Sequence, residues 1–200
     1  EYFFDAPPEH PCALRAMGRF TDIKAPYLTL MAFQSAAGHV PDAQLVMIGD
    51  GPLLEACKSL VKVWGLQDRV TFTGALTHAE ALPLYAKASV FVQHSVTTSY
   101  EDMEGMPNSV LEAGAAALPV IATRHAGIPE SVIHNETGFL VDEYDTEGMA
   151  DHMVRLLSDP ETCRTIGAKA REHIRSYFHI NQHLKRLERV LEFARCNRPV

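Results

Sequence analysis

Short runs of consecutive apolar residues alternate along this chain with segments whose apolar positions recur every three or four residues. The short runs are ALRAMG at 13–18, LVMIG at 45–49, RVTFTG at 69–74, SVFVQ at 89–93, LPVIAT at 118–123 and GFLV at 138–141. Near-continuous apolarity over so short a length predicts strands, and LVMIG reads as one buried on both faces. Between them, Leu28, Met31, Ala32 and Ala36 within 25–37 fall at helical spacing. So do Leu53, Leu54, Cys57, Leu60, Val61 and Trp64 within 53–64. Helices are also predicted over 78–87 and 107–117, with a single turn near 128–133, and then over 145–158, 160–177 and 180–195. The last carries Ile180, Leu184, Leu187, Leu191 and Ala194 on one stripe, so it is expected to pack on something.

Strands alternating with helices in this way form parallel βαβ units. Right-handed crossovers among about six strands give an α/β, Rossmann-like, doubly wound parallel sheet flanked by helices. Ligands of such sheets lie outside the carboxyl ends of the strands. Candidate chemistry is therefore sought in the loops beginning at Gly18, Gly49, Gly74, His94 and Thr123.

Composition narrows the class without naming a function. The 200 residues are 46% hydrophobic and 22% charged, which suits one soluble domain with a real core. A net charge of −7 argues against a nucleic-acid binder. No apolar run is long enough for a transmembrane helix. Cys12, Cys57, Cys163 and Cys196 form no CxxC pair and the ten histidines no HExxH, so no metal site is expected. Scattered thiols fit a cytoplasmic protein, in which the sequon at Asn135–Thr137 is a coincidence. The chain opens on Glu1, with Pro7, Pro8 and Pro11 close behind. Residues 1–12 are accordingly read as a linker and 13–200 as the domain, cut from a longer protein.

Several loops carry candidate ligand contacts. Arg19 follows Gly18, with Lys24 five residues on; a guanidinium fork and a mobile ammonium could clamp a diphosphate, although both cations also fit a solvated face. Gly49-Asp50-Gly51-Pro52 reads equally as a tight strand-to-helix turn or a ligand contact. Gly74-Ala75-Leu76 could present backbone to a base. The loop after His94 is long, polar and acidic. It ends in Glu104-Gly105-Met106-Pro107, which is expected to start a helix and so form an anion site. At ~1.5 Å per residue, Glu104 and Glu112 would stand about 12 Å apart along that helix. A glycosidase pair needs ~5–9.5 Å, so these carboxylates suit two hydroxyl-rich ends of one extended ligand better than hydrolysis.

These stretches resemble the C-terminal half of a retaining glycosyltransferase of family 4, with the GT-B fold. EGMPNSVLE is similar to that family's pair of glutamates separated by seven residues, and LEAGAAALPVIAT to its continuation. GRFTDIKAP, LVMIGDGPL, DRVTFTGAL, AGIPESV, ETGFLV and LLSDPE fall in the family's order, over roughly residues 13–178. The resemblance implies a nucleotide-sugar donor, UDP- or GDP-linked, bound without metal or other cofactor. It implies that Arg19 and Lys24 hold the diphosphate as catalytic residues, with Gly18 among the donor contacts, and that Leu76 flanks the base. It further implies that Glu104 contacts the transferred sugar, that Gly105, Met106, Pro107 and Asn108 present backbone, and that Glu112 binds ribose. Ala25 and Ala117 stand where the family favours glycine, and the loop 97–103 is longer than the minimal form.

A donor-binding domain of this kind needs an N-terminal acceptor domain as partner and would transfer little sugar alone. Surface-glycan or exopolysaccharide synthesis is the setting the family implies, with a glycan or lipid-linked acceptor. A sugar-nucleotide epimerase and a non-catalytic nucleotide-binding module stay open as alternatives. The last thirty residues carry seven Lys/Arg against three Glu, which would suit contact with the inner face of a membrane, a solvated face or the missing domain.

Overall fold

In the computed structural model, which describes residues 13–196, six strands run parallel in one sheet. They are β1 (Ala13–Met17), β2 (Gln44–Ile48), β3 (Val70–Phe72), β4 (Val90–Gln93), β5 (Val120–Thr123) and β6 (Gly138–Val141). Their spatial order is β3-β2-β1-β4-β5-β6. Leu14 of β1 sits beside Leu45 of β2 on one side and Val90 of β4 on the other. The order reverses between β1 and β4, and that reversal opens the crevice in which such sheets take ligands. The expected linker at 1–12 lies outside the described residues.

Eight helices connect and flank the strands within the described residues: α1 (Pro26–Ala37), α2 (Leu54–Val63), α3 (His78–Ala86), α4 (Asn108–Ala115), α5 (Ile128–Ser131), α6 (Thr146–Ser158), α7 (Pro160–Tyr177) and α8 (Ile180–Cys196). Alternation along each strand feeds two apolar layers. Val90, Val92 and Ile121 face Leu30 and Phe33 of α1 and Met149 and Met153 of α6. Phe91, Val120 and Ala122 face Tyr85 of α3, Val110 and Ala113 of α4 and Ile128 of α5. Both faces are covered, which is why the strands read as unbroken apolar runs.

Arg69 closes the C-terminal end of α1. Its guanidinium donates to the carbonyls of Ala37, Val40 and Ala43 at 2.9, 2.6 and 3.0 Å. Those carbonyls include one that α1 itself cannot satisfy, and a cation there complements the helix dipole.

The loops after β1 and β2 interlock through their backbones. Gly18 donates to the Ile48 carbonyl, Phe20 to that of Asp50 and Leu53 to that of Phe20, at 2.9–3.0 Å. Gly49 and Gly51 have φ of 137° and 154°. A Cβ at Gly49 would stand 2.0 Å from the Gly18 carbonyl oxygen, and one at Gly51 2.6 Å from that of Phe20. Both glycines are therefore explained by backbone approach to the neighbouring loop.

Three features differ from the sequence reading. The helix expected from Gly105–Pro107 begins at Asn108, with Pro107 before it at φ −65° and ψ 121°. The hydrogen-bonding groups of 104–105 are taken by the loop after β5: the Glu104 N–H donates to His125 Nε2, and Gly127 N–H donates to the Gly105 carbonyl. The stripe on α8 is not buried among the described residues: Ile180, Leu184, Leu187 and Leu191 are all exposed. On α1, Met31 turns to solvent, leaving Leu28, Leu30, Ala32, Phe33 and Ala36 as the buried face.

Candidate functional site

At the carboxyl edge of the sheet, the loop between β1 and α1 carries Gly18, Arg19 and Lys24. Arg19 is exposed, whereas the Lys24 side chain is only 12% exposed. The Lys24 stem runs across Gly18, where an added Cβ would already touch its Cδ and Cε at 3.4 Å. Its Nζ stands 3.3 Å from Glu104 Oε1. Burial holds the Lys24 pKa below the ordinary lysine value; Glu104 opposes this and Arg19 adds to it. Two cations and one carboxylate are thus close enough to feel one another electrostatically. Beside them lies a cavity of about 20 Å³ whose walls include Gly18, Arg19, Lys24, Gln93 and His94.

Glu104 is placed by a chain of hydrogen bonds that runs through the loops after β5 and β6 and returns to its own loop at Thr97. His125, 1% exposed, accepts the Glu104 N–H at 3.1 Å and pairs through Nδ1 with Glu143 Oε1 at 2.7 Å. Thr97 donates its N–H and Oγ1–H to the Glu143 carboxylate at 2.8 and 3.1 Å. Burial tends to raise the Glu143 pKa, but these hydrogen bonds and His125 bring it below the ordinary value. Next door, His94 is fully buried, and its Nε2 accepts the Tyr144 N–H at 2.9 Å.

Glu112 occupies a neighbouring setting. Its Oε2 accepts the Tyr85 hydroxyl at 3.1 Å, and its Oε1 lies 3.6 Å from His78 Nε2. Burial and then Glu112 raise the Tyr85 pKa, so this phenol stays protonated. Glu112 and Asn108 line a cleft of about 340 Å³ with Leu111, Ala115, Ile174 and Phe178. Neither lines the cavity of Arg19 and Lys24. The link between the two is Tyr85, whose hydroxyl also reaches Met17 Sδ at 3.2 Å, and Met17 is part of the cavity wall.

The structure thus brings Gly18, Arg19, Lys24 and Glu104 together and sets Glu112 one side chain, Tyr85, from the cavity wall, with Asn108 in the same cleft as Glu112. Gly105 and Met106 back onto Gly127, where a Cβ would meet the Gly105 oxygen and Met106 Cε at 3.1 Å. Pro107 is buried. Leu76 is half-buried in the loop before α3, which opens on a reciprocal cap between Thr77 and Glu80. His125, Glu143, Thr97 and Tyr85 escape sequence reasoning, because single residues scattered over three loops and α3 carry no spacing signal. Among the described residues, no group of three or more His, Cys, Asp or Glu side chains could hold a metal ion. No described helix is long and apolar enough to cross a membrane.

Comparisons with known proteins bear on the family and the fold. A GDP-mannose-dependent alpha-(1-6)-phosphatidylinositol monomannoside mannosyltransferase of Mycobacterium tuberculosis is 36% identical over 159 residues, 79% of this chain and 41% of that protein. The putative colanic acid biosynthesis glycosyltransferase WcaL of Escherichia coli is 29% identical over 188 residues, 92% of this chain and 46% of that protein. The chain therefore spans less than half the length of these relatives. Among solved structures, the C-terminal domain of a group 1 glycosyl transferase, LpcC of Francisella tularensis, superposes with a TM-score of 0.76 at 24% identity, covering 88% of this chain and 89% of that one. Anabaena Alr3699/HepE, solved with UDP and glucose, gives 0.79 at 20% identity, over 90% of this chain and 48% of that one. These two likenesses fix the fold as that of a GT-B enzyme's Rossmann-like domain. The family described as glycosyl transferases group 1 matches residues 6–173, most of the sequence, and the chain belongs to it.

Proposed function

We propose that this chain is the donor-binding half of a retaining glycosyltransferase that takes a sugar from UDP or GDP and passes it to a glycan or lipid-linked acceptor. The observation that carries the reading is the Lys24–Glu104 pair at the switch point of the sheet, with Arg19 beside it. A diphosphate needs cations held out of bulk water, and a sugar needs a fixed carboxylate for its hydroxyls. Glu112, hydrogen-bonded by Tyr85, offers a second carboxylate for the ribose.

In the proposed reaction the bond from the anomeric carbon to the diphosphate oxygen breaks, and its electron pair stays on the diphosphate. A new bond forms from the same carbon to the acceptor oxygen, whose proton passes to the departing diphosphate. Arg19 and Lys24 stabilise the charge growing on the leaving group. An N-terminal acceptor domain would bind that acceptor, so the chain alone would bind donor and transfer little. Lys185, Arg186 and Arg189 on α8 would draw such a protein toward anionic lipid, and cosedimentation with anionic vesicles tests that part.

A thermal-shift panel of UDP-, GDP- and ADP-sugars tests the reading. Ligand at a hundred times its dissociation constant adds about 2.7 kcal/mol of stability. For a domain of this size that is a rise of roughly 5–10 °C. No shift with any nucleotide-sugar would overturn it.

A further inference from the structure

We propose that His125 and Glu143 form a positioning pair for Glu104, acting on its main chain. The Glu104 N–H can only donate, so His125 Nε2, 3.1 Å away, carries no proton. The ring proton therefore sits on Nδ1 and is directed at Glu143 Oε1, 2.7 Å away. Glu143 is in turn fixed by both donors of Thr97. One continuous run of hydrogen bonds thus joins the loops after β4, β5 and β6 to the residue that faces Lys24.

The arrangement fixes the tautomer as well as the position. A ring protonated on Nε2 would point N–H at N–H and release Glu104. The carboxylate of Glu143 favours the Nδ1–H form, as carboxylates orient histidines in metal and hydrolase sites. A second bond, from Gly127 N–H to the Gly105 carbonyl at 3.0 Å, stops the segment from pivoting about the first. The burial of His125 makes each of these bonds costly to leave unmade. Neither His125 nor Glu143 touches Lys24 in this scheme; both act through Glu104.

The role of the pair in ligand binding rests on the proposed nucleotide-sugar site, so the test has two independent arms. The first is amide hydrogen exchange at Glu104 in the full chain, which needs no ligand. His125→Phe should speed exchange at Glu104 at least tenfold while distant core amides keep their protection. His125→Gln, which restores an acceptor, should recover most of the loss, and Glu143→Gln should change Glu104 in the same direction as His125→Phe, by less. Unchanged exchange at Glu104 in both His125→Phe and Glu143→Gln overturns the proposal, as does an equal loss at every core amide.

The second arm compares a nucleotide-sugar with its bare nucleoside diphosphate by calorimetry. His125→Phe should lower the preference for the sugar-bearing ligand about tenfold, and should lower it no further in a Glu104→Gln background. An equal loss for both ligands would make His125 merely structural. Absence of binding by the unaltered chain would refute the site, while the exchange measurement would still decide the positioning role.

Discussion

Lys24 and Glu104, eighty residues apart in sequence, meet at 3.3 Å with side chains only 12% and 19% exposed. The ammonium is thus partly neutralised before any ligand arrives, and the diphosphate of the proposed donor would have to compete with Glu104 for it. Lys24→Met should weaken nucleoside diphosphate and nucleotide-sugar alike by 10–100-fold, the effect of about 1.5–3 kcal/mol for a charge-assisted hydrogen bond. Glu104→Gln should leave the bare diphosphate bound as well or better and abolish any preference for the sugar. Titration calorimetry of both variants with both ligands separates the two roles.

His94 makes the fold sensitive to mild acid. Burial pushes its imidazole from 6.5 down to about 4, against the smaller opposing pull of Glu143 and Asp145. The unfolded chain therefore takes up a proton at this residue between about pH 6.5 and 4 that the folded chain refuses. Stability is full above that window and falls through it as pH drops, by up to about 3 kcal/mol from this group. His94→Gln keeps an acceptor for the Tyr144 N–H and cannot ionise, so urea titrations at pH 7 and pH 4.5 should show a distinctly smaller difference than in the unaltered chain.

Ala117 holds φ at 60°, and Ala25 at 36°, where a side chain is strained. These are the two positions at which the resemblance leads one to expect glycine. The left-handed conformation costs an alanine about 1–2 kcal/mol, while glycine returns part of that in unfolded-chain entropy. Ala117→Gly should therefore raise the melting temperature by about 1–4 °C. Gly167→Ala should lower it sharply, because its Cβ would stand 2.0 Å from the Ala117 oxygen.

Arg69 supports the fold without entering the site. Removing a guanidinium that serves three carbonyls leaves them under-satisfied, so Arg69→Met should cost about 2–4 kcal/mol. Denaturant midpoints measure that cost. Nucleotide affinity, read at a temperature where the variant is folded, should stay within about twofold.

The stripe on α8 makes a contrary prediction. Leu184→Ser, Leu187→Ser and Leu191→Ser together should change the melting temperature by less than about 1 °C, since the side chains are already exposed. A large drop would show that α8 packs against the domain in solution.

Much of the sheet is legible in the sequence because burial on both faces erases polar interruptions. SVFVQ and GFLV mark β4 and β6 almost to the residue, whereas β3 shrinks from the six residues of RVTFTG to Val70–Phe72. Helix starts are less legible where tertiary bonds compete with the helical ladder. Nothing local in EGMPN reveals that His125 and Gly127 claim the groups at 104–105. Lys24 and Glu104 can be picked out by their loops, but their pairing emerges only when β1 and β4 lie side by side. The apolar face of α8 is legible as a face, yet its spacing says nothing about whether a neighbour covers it.

Gly49 and Gly51 tie the height of Arg19 above the sheet to a turn thirty residues away. Because backbone presses on backbone there, neither loop can drift in sequence without the other giving ground. Change in the proposed donor pocket should thus arrive as paired edits in both turns, and grafting one turn alone from a relative should misplace the cation.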